Sequence, residues 1–496
     1  MLSENDFIHA ENRLFVEDYF QKIIRLGLLF KTNPSLIHKE SVQNLKNIFL
    51  TPLPEKGEDL TALLDDFKQV ADFSTNFSSS KFMAFPDAGN SISGVAAGIL
   101  IPLLNQNLIN AEHCSPAGSF VEMAVINWLR EVLGLSVCSN PKNVFEVGGI
   151  ITSGGTISNM IALMGARNRL FPKAKDEGVY GMEKVKILVP KGLSHYSLRC
   201  SLSWLGLGEK NVVEVDVTQD LTLDLSDLER KTKEVSQTAK IMAIVCYAGD
   251  SRAMALDHFD EIADIAEKNH IWFHVDACHG FQFAFHPELK KYLKGIERAD
   301  SITMDPHKVL CIPYVLSALT FKNPKDFELI ASNSDLIMKE DFAFGQITPM
   351  LGSRAFNSLK LWAVIKALGR EKIGEMVMKR HLLACTLFKK LSCDSRFIVV
   401  NKKVGINSVL FMIKPQNWDG DVDRLNAFNR IVYRKLFDEN KFYLHNFPFP
   451  DVRGQFNGQT VYPLRYMSGN YLANEKELDE MINAVKETAD EVEKNK

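Results

Sequence analysis

The chain has 496 residues, 46% hydrophobic and 24% charged, with a formal net charge of −3. That near-neutral balance excludes the strongly basic surface of a nucleic-acid binder or of a protein held to an anionic membrane. At about 150 residues per domain, the length predicts about three domains and a large core. The segment from Met1 to Asp18 carries five acidic residues and no apolar run, so it does not read as a signal peptide. Val16, Phe20, Ile24 and Leu28 then recur at helical spacing, and Thr51 to Gly57 breaks the pattern. The longest apolar stretch, Gly94 to Leu104, is eleven residues, too short to span a bilayer.

From about Val144 to Phe321 short apolar runs alternate with helical patterns. The predicted strands are 150–152, 185–189, 211–215, 241–246, 271–275 and 301–304. Between them, Phe259, Ile262, Ala263 and Ala266 form one stripe of a helix near 258–269. Such alternation predicts a mostly parallel sheet covered on both faces, with ligands at the carboxyl ends of its strands. Arg354 to about Met378 reads as one long helix, and the remainder mixes strands, such as 408–413, with helices. We expect a helical N-terminal lobe over 1–85, a large α/β domain over 86–375 and a small α+β domain over 376–496. No two of the eight cysteines stand three apart, so no CxxC pair suggests a metal site. Reduced thiols in a soluble, cytoplasmic protein are expected.

Five segments carry candidate chemistry. Thr152 to Asn159, with Gly154 and Gly155, joins a strand to a helix, where backbone N–H groups can meet an anion. Asp276 ends a strand, where it could ligate a metal, cap a helix or pair with a protonated ring nitrogen. Lys308, in Asp305-Pro-His-Lys308, follows another strand. There burial would lower its pKa and free a nucleophilic amine for a Schiff base. His195 could stack on a flat ligand or donate a proton. Tyr247 to Ser251 ends at the same sheet edge. Each alone fits an ordinary turn, cap or surface side chain. In combination and in this order, with Lys308 placed 32 residues after Asp276, they fit pyridoxal phosphate better than a nucleotide or a metal.

With these motifs, the chain resembles the group II pyridoxal-phosphate-dependent amino-acid decarboxylases of fold type I. That family includes the glutamate, aromatic amino-acid and cysteine sulfinate decarboxylases. The resemblance runs from about Ser80 to the C-terminus. It also includes Ser79 to Asn90, Ser115-Pro116 with Phe120 to Glu122, and Leu464-Arg465 with Asn470. It implies an aspartate aminotransferase-like large domain and a homodimer with active sites at the subunit interface. It implies that Lys308 forms the Schiff base, Asp276 pairs with the pyridinium nitrogen and His195 stacks on the ring. Gly154, Gly155, Thr156 and His307 would bind the phosphate, with Ser251 and Cys278 near the ring. Arg465 would take the substrate α-carboxylate. Asp87, Leu108 and Asn110 would line the substrate pocket, in part from the neighbouring subunit. The implied reaction turns an L-amino acid into its amine and CO₂.

Three positions depart from the family pattern. Asp305 stands where Asn is usual, and Cys278 where a small Ala is common. Residues 331–353 hold no tyrosine, with Phe342 and Phe344 instead of the usual loop proton donor. Loss of that tyrosine opens an alternative, oxygen-dependent decarboxylation–deamination to an aldehyde, although His195 is retained as a donor. A catalytically silent cofactor-binding regulator is a further alternative. Asp87 disfavours a dicarboxylate substrate and favours a cationic or neutral one.

Overall fold

The computed structural model describes residues 4–37, 39–332, 341–467, 469–471 and 473–494. Its centre is a seven-stranded sheet of β1 (Gly149–Thr152), β2 (Val185–Pro190), β3 (Val212–Val215), β4 (Lys240–Tyr247), β5 (Trp272–Asp276), β6 (Ser301–Met304) and β7 (Ser317–Phe321). The strand order is β1-β7-β6-β5-β4-β2-β3. The neighbours β6–β5, β5–β4, β4–β2 and β2–β3 are parallel. β7 runs antiparallel to both β1 and β6. All the other strands of this sheet therefore point the same way, and their carboxyl ends share one edge.

The strands are apolar runs buried on both faces, as a covered parallel sheet requires. Phe259, Ile262, Ala263 and Ala266 of helix Phe259–Lys268 are at most 1% exposed. Burying Phe259 and Ile262 contributes roughly 1.5–3 kcal/mol each.

A second sheet holds β8 (Phe397–Val399), β9 (Ser408–Ile413), β10 (His445–Asn446) and β11 (Leu464–Met467), in the order β10-β11-β9-β8, all antiparallel. Residues 81–83 dock along it. Met83 N donates to Tyr443 O at 2.9 Å, and Tyr443 N donates to Lys81 O at 3.0 Å. The end of the expected N-terminal lobe is thus tied to the C-terminal sheet.

The long helix runs over Ser358–Ser392, later than expected, and bends at Gly369, whose φ of 68° no helical residue adopts. Helix Arg13–Thr32 forms where the periodicity places it, yet it has no buried residues. Its apolar stripe faces outward, with Ile24 41% and Leu28 57% exposed. Helix Ile92–Leu104 likewise exposes Ile92, Ile99, Leu100, Leu103 and Leu104. Among the described residues, no helix is long and apolar enough to cross a membrane.

Candidate active site

At the carboxyl edge of the large sheet lies a cavity of about 590 Å³. Its lining brings together Asp87, Gly154, Gly155, Thr156, His195, Ser251, Asp276, Cys278, His307, Lys308 and Arg465. Leu108 and Asn110 are not part of it. Both are at most 1% exposed. Leu108 N donates to Arg354 O at 2.9 Å. Asn110 Oδ1 accepts from Cys114 N at 3.1 Å, ahead of helix Pro116–Leu133. They shape a buried turn of their own chain.

The cradle begins where β1 ends. Gly154 has φ 131°, a conformation that favours glycine, and a Cβ there would meet nothing within 4 Å. It caps the 16-residue helix Gly155–Leu170, so free N–H groups and a positive dipole end face the open space. Gly155 is glycine for a different reason: a Cβ would stand 2.6 Å from Cys278 Sγ and 2.9 Å from Asp305 Oδ2.

Asp276, 6% exposed at the end of β5, accepts from Asn159 Nδ2 at 2.8 Å and from Cys278 N at 3.1 Å. Asn159 Oδ1 in turn accepts from His274 Nε2 at 3.1 Å. His274 Nδ1 and Ser301 Oγ lie 2.8 Å apart, and Trp272 Nε1 donates to that hydroxyl at 2.7 Å. These partners assign the His274 tautomer: Nε2 carries the proton and Nδ1 accepts. Donors therefore run in one direction, from Trp272 through Ser301, His274 and Asn159 to the Asp276 carboxylate. Burial pushes the His274 imidazole down to about 4, which keeps it neutral in this chain.

The same Asn159 amide donates to Ser197 Oγ at 3.0 Å, and Ser197 Oγ lies 2.7 Å from His195 Nδ1. Ser197 N also donates to His195 Nδ1, at 3.3 Å. That leaves the His195 proton on Nε2. Burial holds this imidazole below the ordinary histidine range.

Lys308 corrects one expectation. Burial alone would push its ammonium down, but Asp305, Cys278 and Asp276 outweigh it and the net shift is upward. Lys308 Nζ lies 2.8 Å from Asp305 Oδ2. Asp305 also accepts from Ser317 Oγ. Burial would raise the Asp305 carboxyl, yet Lys308 and His307 bring it below the usual range. His307 Nδ1 donates to Leu316 O at 2.6 Å.

Arg465 is 3% exposed, and its Nη1 and Nη2 donate to Ser251 O at 2.6 Å and Ala84 O at 3.0 Å. Burial lowers its guanidinium to about 10. Of the loop lacking tyrosine, residues 333–340 lie outside the described residues. Phe342 packs on Phe120 at 5.3 Å between ring centroids, and Phe344 is fully buried, so neither lines the cavity.

The residues fit pyridoxal phosphate. The open cradle at Gly154 can take an anion, Asp276 a ring nitrogen, and Lys308 stands in the same cavity. Fold and site together define a fold-type I pyridoxal-phosphate enzyme. The family described as the pyridoxal-dependent decarboxylase conserved domain matches residues 43–414, and the chain belongs to it. The chain is 30% identical over 387 residues to an L-2,4-diaminobutyrate decarboxylase of Rhizobium meliloti, covering 74% of each. It is 28% identical over 412 residues to the mouse acidic amino acid decarboxylase GADL1, covering 81% of this chain and 73% of that one. The crystal structure of mouse CSAD in apo form superposes with a TM-score of 0.87 at 21% identity, covering 96% and 99% of the two chains. The protein is a pyridoxal-phosphate-dependent amino-acid decarboxylase.

Proposed function

We propose that this cavity decarboxylates an L-amino acid with the following division of labour. Pyridoxal phosphate, when bound, supplies the electron sink for the pair left as the bond from Cα to the carboxylate breaks. Lys308 supplies the amine that anchors it. Gly154, Gly155 and Thr156 hold the phosphate, and His307 stands beside them. Asp276, fixed by Asn159, faces the ring nitrogen. His195 covers one ring face and carries on Nε2 the proton that replaces CO₂ at Cα. Ser251 and Cys278 border the ring. Arg465 has a buried Nε without a partner, and this atom is offered to the substrate α-carboxylate.

The observation that carries this reading is the donor chain ending on Asp276 in the cavity that holds Lys308. Substitution Lys308→Ala tests it. Turnover and the visible absorbance of the bound cofactor should vanish while circular dichroism stays unchanged. Full activity in that variant would reject the assignment.

We further propose a homodimer. The outward apolar residues of helices Arg13–Thr32 and Ile92–Leu104 support it, since large apolar side chains left exposed in number mark an interaction site. Sedimentation should give about twice the chain mass, and a fully active monomer would reject it. Cytoplasmic residence is supported by eight cysteines that are all free. We retain the division into 1–85, 86–375 and 376–496 as a proposal, with the tie of residues 81–83 to the C-terminal sheet as its exception.

A further inference from the structure

The substrate end of the cavity is walled by Phe85, Asp87, Tyr314, His445 and Phe447. Asp87 Oδ1 is buried and has no hydrogen-bond partner. Burial raises the Asp87 carboxyl above its usual range, and Lys308, hydrogen bonding from the Tyr314 hydroxyl and His307 oppose that rise only in part. Tyr314 is itself held against His307, with ring centroids 5.0 Å apart. The carboxyl therefore keeps one buried oxygen without a partner.

The cations nearest this carboxyl, Lys308 and Arg465, act on it through space without forming an ion pair. Lys308 pairs with Asp305, and Arg465 donates to the carbonyls of Ser251 and Ala84. Among the described residues no ion pair includes Asp87. A buried carboxylate oxygen without a partner is costly. An incoming cation removes that cost, whereas an incoming carboxylate increases it. The neighbouring surface suits a cation too. His445 is neutral, pushed down to about 4 by burial and Arg465, and its Nδ1 is buried without a partner. Its ring lies tilted against Phe85 at 4.9 Å and Phe447 at 5.1 Å, and these two rings already accept one cation, the Arg465 guanidinium at 5.8 Å and 5.1 Å.

We propose that Asp87, oriented by Tyr314, binds the distal ammonium of a diamino L-amino acid, so that the substrate class is basic. The inference rests on the decarboxylase reading and deepens it. Tyr314 is a positioning residue here, and Asp87 is the group that touches the substrate.

The test uses the holoenzyme in two arms. In the first, CO₂ release is measured for 2,4-diaminobutyrate, ornithine and lysine against norvaline, glutamate and phenylalanine. A diamino acid should lead its neutral counterpart by about thirty-fold or more in kcat/KM, the value of one well-placed charge pair. Asp87→Asn should shrink that ratio to within about three-fold, mainly through KM, while the cofactor absorbance remains. Tyr314→Phe should shrink it partially. In the second arm, calorimetry compares 1,3-diaminopropane with propylamine. The diamine should bind more tightly to the wild type and lose that advantage in Asp87→Asn. Glutamate or phenylalanine as leading substrate, or an unchanged ratio in Asp87→Asn, would overturn the inference while leaving the decarboxylase reading intact. If no amino acid releases CO₂ from loaded enzyme, the decarboxylase reading fails, and the diamine arm still decides the role of Asp87.

Discussion

Asn159 Nδ2 lies 2.8 Å from Asp276 Oδ2, and the same nitrogen lies 3.0 Å from Ser197 Oγ, which holds His195. One amide thus orients both the carboxylate meant for the cofactor ring nitrogen and the imidazole meant for the ring face. Removing it with Asn159→Ala should loosen both. Loss of a hydrogen bond to a charged group costs about 1.5–3 kcal/mol. Cofactor affinity, read by absorbance titration, should fall about ten-fold or more, and the pH profile should change shape as the His195 tautomer is released. Unchanged affinity would show that Asn159 is only a packing residue.

His274 gives the site an acid limit. Its pKa is lowered by burial from 6.5 to about 4, so the folded state prefers the neutral ring. The stability this contributes is fully present above pH 6.5 and is lost as the pH falls through 4. The gap corresponds to about 3 kcal/mol. Chemical denaturation between pH 7 and 4 should show that loss, and His274→Gln should flatten it. His279, pushed down to about 3 by burial, continues the trend at lower pH. A flat profile in the wild type would contradict this assignment.

Asp305 keeps Lys308 charged before the cofactor arrives. Asp305→Asn removes the pair and leaves burial, which lowers the lysine, as the leading influence. Stopped-flow mixing of apo-protein with pyridoxal phosphate near pH 7 should show faster capture, by about ten-fold. Slower capture would mean that Asp305 assists the lysine instead of restraining it.

The Gly155→Ala substitution should destabilise the loaded enzyme, because the new methyl meets Cys278 Sγ at 2.6 Å and Asp305 Oδ2 at 2.9 Å. Overpacking of this kind costs about 1–3 kcal/mol. Adding Cys278→Ala should return part of the lost melting temperature. No recovery would place the strain on Asp305 alone.

Much of this site was legible in the sequence. Strand β6 and strand β9 fall on the apolar runs that predict them, and Gly154, His195, Asp276 and Lys308 meet in one cavity. Strand β7 is not legible in the sequence, because its place between β1 and β6 is a long-range pairing that periodicity cannot report. The Trp272–Ser301–His274–Asn159 chain is hidden for the same reason. One signal was available: Trp272, His274 and Asp276 alternate along β5 and so share one face of the strand. Burial alone gives the wrong direction for the charge state of Lys308, because the carboxylate three residues earlier in the chain pairs with it.

The chain removes CO₂ from an amino acid and returns a proton to Cα without oxidation. The most direct measurement follows CO₂, amine, aldehyde and H₂O₂ together during turnover of the loaded enzyme. CO₂ and amine should appear in equal amounts, with neither aldehyde nor H₂O₂. Stoichiometric H₂O₂ and aldehyde would contradict it.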